Sequence, residues 1–286
     1  MKQRVISALI ISAIAIVAII LGGIVFDIAI LLMATIGLYE FYGAFAKKGH
    51  SPIRIFGLVY IGLLALMIFL DSKSYLSIIL ETKSNVTIDL FPPIFILHFL
   101  LLLSFVVFKF EKYTPFDVAV TIFGGFYVVA LLSYFINLRN LSGGMYLFII
   151  PLVGAIATDT FALFAGKQFG KKKLIPAVSP NKTVAGSIGG FCGSIIILTI
   201  GGMVLVFGGF YTDMPIYHYP ILGAIIGITA QIGDLAASSI KRYTGIKDFG
   251  KLIPGHGGIL DRIDSYIFTI PVVYYYLLLF GIGGGK

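Results

Sequence analysis

Apolar positions in this chain run together in blocks of about 20 residues. Each block is closed by a short cluster of Lys, Arg, Asp, Pro or Gly. A block that is apolar on every side suits a helix surrounded by hydrocarbon, since 20 residues at 1.5 Å each reach about 30 Å. The pattern predicts nine such helices, at about 1–21, 25–46, 53–70, 92–109, 116–136, 144–165, 184–207, 217–241 and 262–282. Pro52, Pro92, Pro93 and Pro115 stand at or near helix starts, where a missing N–H costs nothing. A transmembrane β-barrel would show segments of about 10 residues with strict alternation, and the chain has none. The expected fold class is all-α: a polytopic integral membrane protein with about nine transmembrane helices. Lys2 and Arg4 precede the first block as in a signal peptide. No small-residue cleavage site follows, however, and Leu21-Gly22-Gly23 leads straight into the next block, which predicts an uncleaved helix. Residues 71–91 are polar, with an apolar patch from Tyr75 to Leu80 that suits a short interfacial turn or helix.

Composition removes the soluble classes. Hydrophobic residues make up 58% of the chain and charged residues 12%, with a mean hydropathy of +1.02. An aqueous surface needs about 25% charged residues. The net charge of +8 needs no nucleic-acid partner, because anionic headgroups and the positive-inside rule account for it. Assigning alternate loops to the cytoplasm, beginning with the N-terminus, places 17 of the 21 basic residues there. Only Lys73, Lys83, Arg139 and Lys286 fall outside. The N-terminus is therefore expected inside and the C-terminus outside. Cys192 lies within an apolar block, so no disulfide staples the fold. Three regions are expected: an N-terminal transmembrane region at 1–91, a middle one at 92–140, and a catalytic one at 141–286 holding helices six to nine and two cytoplasmic polar loops.

Those two loops hold most of the polar chemistry. The first covers 166–183. The second, Ser238–Asp264, carries Lys241, Arg242, Lys247, Asp248, Lys251, His256, Asp261, Arg262 and Asp264 among five glycines. Two further carboxylates lie inside helices: Asp159 in the sixth and Asp234 in the eighth, each roughly 10 Å below the cytoplasmic end. An ionised carboxylate there is costly unless paired, wetted or metal-bound. Asp261 and Asp264 open the ninth helix at i, i+3 and share a face; they also suit simple complementation of the helix dipole. The Lys171–Lys173 run fits a positive-inside anchor. Ser179-Pro180-Asn181-Lys182-Thr183 fits a helix start, with Ser179 or Asn181 as the cap and free N–H groups aimed at an anion. Four carboxylates beside phosphate-binding cations are what Mg²⁺ and a nucleoside triphosphate require. A transporter would also use intramembrane aspartates, but its polar residues would continue across the membrane, whereas here they cluster on one side.

Ser238-x-Ile240-Lys241-Arg242, Lys247-Asp248, Gly250, Ile253-Pro254, His256-Gly257-Gly258-Ile259 and Asp261-Arg262-Ile263-Asp264 together resemble the signature of the phosphatidate cytidylyltransferase (CDP-diacylglycerol synthase) family. Asp159-Thr160-Phe161-Ala162 and Ser179–Thr183 resemble the same family, while the first half, to about residue 140, supports it by hydropathy alone. The resemblance implies a membrane enzyme that makes CDP-diacylglycerol and pyrophosphate from CTP and phosphatidic acid. It implies Mg²⁺ dependence, leaving open a second metal or a monovalent cation, and a homodimer among membrane lipid. On this basis Asp234 and Asp261 are expected as metal ligands, with Asp264 and Asp159 as further ligands or outer support. Ser179, Asn181, Lys182, Thr183, Lys241, Arg242 and Arg262 are expected to bind substrate, as is Lys247. Gly257 and Gly258 would let backbone approach substrate. His256 would orient a phosphate, and Lys247 and Asp248 complete the catalytic set. A CTP-dependent polyprenol kinase, a cytidylyltransferase for another lipid phosphate, and a transporter remain alternatives. The lack of an added soluble region favours a bacterial inner membrane, with the site facing the cytoplasm.

Overall fold

The computed structural model describes residues 13–69, 79–81, 87–89, 91–253, 255 and 257–284. Every predicted apolar block is helical in its described part. Residues 13–21 form α1, followed by α2 (Gly23–Lys47), α3 (Arg54–Phe69), α4 (Phe91–Phe108) and α5 (Pro115–Arg139). Then come α6 (Gly144–Phe169), α7 (Val184–Phe207), α8 (His218–Tyr243) and α9 (Leu260–Leu279). Among the described residues, five helices are long and apolar enough to cross a bilayer: α2, α5, α6, α7 and α8. The apolar stretches of α3 and α4 are shorter. Rows of exposed large apolar residues, such as Ile24, Ile28 and Leu32 on α2 and Ile188, Ile196 and Ile200 on α7, are the surface of an integral membrane protein.

The pattern missed two small antiparallel hairpins. Strands β1 (Ile79–Glu81) and β2 (Thr87–Asp89) pair Leu80 with Ile88. Residues 79–81 and 87–89 of the polar 71–91 segment are thus extended rather than helical; Tyr75, Leu76 and Ile78 lie outside the described residues. Strands β3 (Lys173–Ile175) and β4 (Ser179–Thr183) pair Lys173 with Thr183 and Ile175 with Ser179, with an irregularity between Lys173 and Ile175. The residues expected to open the seventh helix are therefore a strand. The break between α1 and α2 is a single residue, Gly22, whose φ of 62° is open to glycine at little cost.

The chain forms two compact units. The first comprises residues 1–137 and 244–260. Here α2 packs on α3 and on α5. Tyr42 fits against Gly57 and Gly124, neither of which could carry a Cβ beside its ring, and its hydroxyl donates to the Thr121 carbonyl at 2.8 Å. Ile53, Leu102, Val106 and Val118 form a core with Phe56, Phe105, Tyr113 and Ile122 around it. Helix α5 is opened by a capping box between Thr114 and Asp117, and Asp117 also accepts from the Ser51 N–H. Midway, Gly125–Ala130 is a π-helical segment.

The second unit comprises residues 138–243 and 261–286. Its centre is the pairing of α6 with α7 and of α7 with α8. Small residues bring these backbones together, as membrane helices require when hydrophobicity gives no drive to associate. A Cβ on Gly190 would lie 2.7 Å from the Thr158 carbonyl oxygen, and one on Gly186 2.8 Å from that of Ala162. On the other face of α7, Gly223 and Gly227 of α8 abut Ile195 and Phe191. Helix α9 meets α8 at Gly233, which faces the Asp264 carbonyl and Phe268.

Candidate active site

Within the second unit, the C-terminal halves of α6 and α8, hairpin β3–β4 and the first turns of α9 bring the expected charges together. Helices α6 and α8 run longer than the pattern predicted. Asp159 therefore sits ten residues before Phe169, and Asp234 nine before Tyr243, about 14 Å from the helix ends. Both still lie near other charged groups. Asp234 forms an ion pair with Lys182, each side chain about a quarter exposed, at 27% and 28%. Asp159 is exposed and lies within electrostatic reach of both members of that pair.

A second pair is deeper. Lys241 Nζ lies 2.9 Å from Asp261 Oδ1, with side-chain exposures of 11% and 3%. The same ammonium is 3.9 Å from Asp264 Oδ2. The i, i+3 spacing does present both carboxylates to one side, and Lys241 from the last turn of α8 receives them. Asp264 Oδ1 accepts from the Ser265 N–H at 2.8 Å. Asp159, Asp234 and Asp264 are close enough for their charges to act on one another. Tyr266, which no sequence signal singled out, lies within electrostatic reach of Asp159 and Asp264.

The hairpin explains how Lys182 gets there. Along β4, Lys182 is half-buried between the exposed Asn181 and the buried Thr183. Thr183, rather than Ser179 or Asn181, caps α7: its hydroxyl accepts from the Gly186 N–H at 3.0 Å. Ser179 is half-buried at the other end of the strand. Arg242 donates through Nε to the Val178 carbonyl at 3.2 Å, tying the end of α8 to the hairpin turn. Arg262 is exposed on the first turn of α9.

The remaining expected site residues belong to the loop 244–260 of the first unit. Thr244, Phe249 and Ile253 are buried there, while Lys247, Asp248 and Lys251 are exposed. Gly257 accepts a backbone hydrogen bond from Ile253 at 2.9 Å and has a φ of 85°, which a side chain would resist. Gly258 is buried and backs onto the carboxylate of Glu40. His256 and Pro254 lie outside the described residues. Glu40 itself escaped the sequence reading; a carboxylate within an apolar block, which it shares with Asp27, was the available signal.

Among the described residues, no three His, Cys, Asp or Glu side chains form a ready-made metal cage. The donors are nonetheless of the right kind for Mg²⁺, which takes one or two carboxylates and fills its shell with water and substrate phosphates. Asp234, about a quarter exposed, Asp264, mostly buried, the exposed Asp159 and the lysine-held Asp261 fit that habit. Lysines that now balance these carboxylates are also suited to phosphate oxygens.

Comparison with known proteins covers nearly the whole chain. The model of the "Cytidylyltransferase family" matches residues 2–280. The phosphatidate cytidylyltransferase of Bacillus subtilis is 34% identical over 282 residues, covering 98% of each chain. The enzyme of that name from Synechocystis is 34% identical over 306 residues, covering 97% of this chain and 96% of the relative. That from Staphylococcus saprophyticus is 31% identical over 273 residues, covering 96% and 97%. With a match running through all nine helices seen among the described residues and through both polar loops, the chain belongs to the cytidylyltransferase family.

Proposed function

We propose that this protein is a phosphatidate cytidylyltransferase, transferring CMP from CTP to phosphatidic acid in phospholipid biosynthesis. The observation that carries the reading is the full-length likeness to enzymes of that name, joined to a cluster of carboxylates and lysines at one end of an apolar helix bundle. A phosphatidate oxygen attacks the α-phosphorus of CTP, the bond from that phosphorus to the bridging oxygen breaks, and pyrophosphate leaves. The nucleophile is already anionic, so the main barrier is bringing two polyanions together and stabilising the charge that develops on the leaving group.

The chain's residues divide that work. Lys182 and Lys241, with Arg242, Arg262 and Lys247, hold phosphate oxygens and exchange their aspartate partners for substrate. Ser179, Asn181 and Thr183 line the hairpin side. Gly257 gives backbone access, and His256 and Asp248 orient the phosphates. Asp234 and Asp261 would hold Mg²⁺, with Asp264 and Asp159 as further ligands. Bound there, the metal neutralises charge on the phosphates; a second metal or a monovalent cation is compatible with four carboxylates. Residues 141–286 form the catalytic region, with 1–91 and 92–140 as membrane regions beside it. All nine helices span the membrane, with the N-terminus in the cytoplasm and the C-terminus outside, as the basic residues favour. The site faces the cytoplasm of a bacterial inner membrane, and the enzyme works as a homodimer.

The test uses purified protein, CTP labelled in the cytosine ring, phosphatidic acid and Mg²⁺. Label is expected in the lipid phase, and to vanish with EDTA or in Asp261→Asn. Absence of lipid label from folded wild-type protein, with γ-phosphate passing to a polyprenol instead, would replace the reading with a kinase.

A further inference from the structure

Glu40 stands in α2, seven residues before its end at Lys47, and is 6% exposed. A carboxylate buried in an apolar helix must find donors. Its two oxygens find them on the loop 244–260, in the same unit. Oε1 accepts from the Ile259 N–H at 3.1 Å and Oε2 from the Leu260 N–H at 3.0 Å. Leu260 is the first residue of α9, and the first N–H groups of a helix have no partner within it. An anion is also favoured there by the helix dipole.

Two glycines of the motif fit the same carboxylate. A Cβ at Gly250 or at Gly258 would fall so close to the Glu40 carboxyl oxygens that the carboxylate would have to move. One turn earlier on α2, Gly37 receives the side chain of Leu260, which is 1% exposed; a Cβ there would meet its Cδ2 at 3.1 Å. A side chain at position 258 would therefore displace the Glu40 carboxylate from its place, a consequence separate from substrate approach.

We propose that Glu40 is a positioning residue of the transfer site. Its carboxylate seats the loop 244–260 and caps α9, fixing the point from which the helix bearing Asp261 and Asp264 begins. The significance for catalysis rests on the cytidylyltransferase reading; the seating of the loop does not.

The test is Glu40→Gln in the full-length protein, which keeps shape but offers one acceptor and turns an NH₂ toward a backbone donor. Amide exchange at Ile259 and Leu260 is expected to quicken on the order of tenfold or more. The kcat for CDP-diacylglycerol formation is expected to fall about 10- to 100-fold, with KM for CTP moving less than kcat. Gly258→Ala, which approaches the contact from the loop side, should give the same two changes, and the double variant should lose no more than the worse single. If Glu40→Gln does not fold, Gly258→Ala decides by the same readings. Unchanged exchange at the two amides overturns the seating. Faster exchange with unchanged kcat, or losses that simply multiply in the double variant, overturns the positioning role. A wild-type protein that makes no CDP-diacylglycerol would defeat the function instead, and the exchange measurement would still read the loop.

Discussion

The two ion pairs differ in exposure, and the difference separates stability from chemistry. Lys241 and Asp261 are almost wholly withdrawn from solvent. Removing one member leaves a buried charge without compensation, which costs about 3–5 kcal/mol. Lys241→Met should therefore lower the unfolding free energy strongly, and Lys241→Met with Asp261→Asn should recover part of that loss, measured by thermal or denaturant unfolding in detergent. Lys182 and Asp234 are about a quarter exposed, so their pair contributes within about 1 kcal/mol. Asp234→Asn should leave unfolding nearly unchanged while activity falls on the order of 100-fold or more; full Mg²⁺-dependent turnover in that variant would strike Asp234 from the ligand set. The sequence announced these carboxylates because an ionisable group inside an apolar block has no cheap idle state. It did not announce their lysine partners, since pairing depends on helix rotation and on the path of the hairpin. Glu40 went unseen for a related reason: its partners are backbone amides some 220 positions away, and backbone donors leave no mark in composition.

At the level of elements, helices were legible and the hairpins were not. An apolar block of 20 residues admits few other structures in lipid, and Pro115 and Gly143–Gly144 mark ends of α5 and α6 closely. Strand β4 reads Ser-Pro-Asn-Lys-Thr, without alternation and with a proline. That composition speaks against a strand, yet a two-stranded ribbon tolerates it at an open edge. The small residues of α7 were visible only as breaks in apolar runs; their use is contact. With a Cβ at position 190 so near the Thr158 carbonyl, Gly190→Leu must push α7 away from α6. The cost expected is about 1–3 kcal/mol, with activity lost as Lys182 at the head of α7 shifts. Gly201 has nothing within 4 Å of its would-be Cβ, so Gly201→Leu serves as the matched control and should be near neutral. Equal loss in both variants would mean that apolar bulk anywhere on α7 is harmful and that the close approach has no special role.

For the whole molecule, the count of blocks and the side preference of basic residues give a topology that labelling can check. The lone Cys192 makes this practical, since Cys192→Ala provides a cysteine-free background. In that background, Lys173→Cys should react with an impermeant maleimide only when the cytoplasmic face is open to it. Asp213→Cys, in the connection between α7 and α8, should react from the opposite face. Reaction of both from one side would remove the nine-span arrangement. The cluster of carboxylates and lysines in the second half was readable because its charges are anomalous in so apolar a chain. The first three helices offered only hydropathy, and much of what they do was hidden in which glycine meets which ring.

The buried pair also has a place in time. Lys241 leaves the ribosome 20 residues ahead of Asp261, and at roughly 5–20 residues per second its ammonium waits a matter of seconds for its counterion. During that interval the ammonium lacks the carboxylate that it holds in the folded protein, and the last helix supplies it. A chain that stops short of α9 thus lacks the acid that holds Lys241 in the folded protein, and the final helix is what completes the pair.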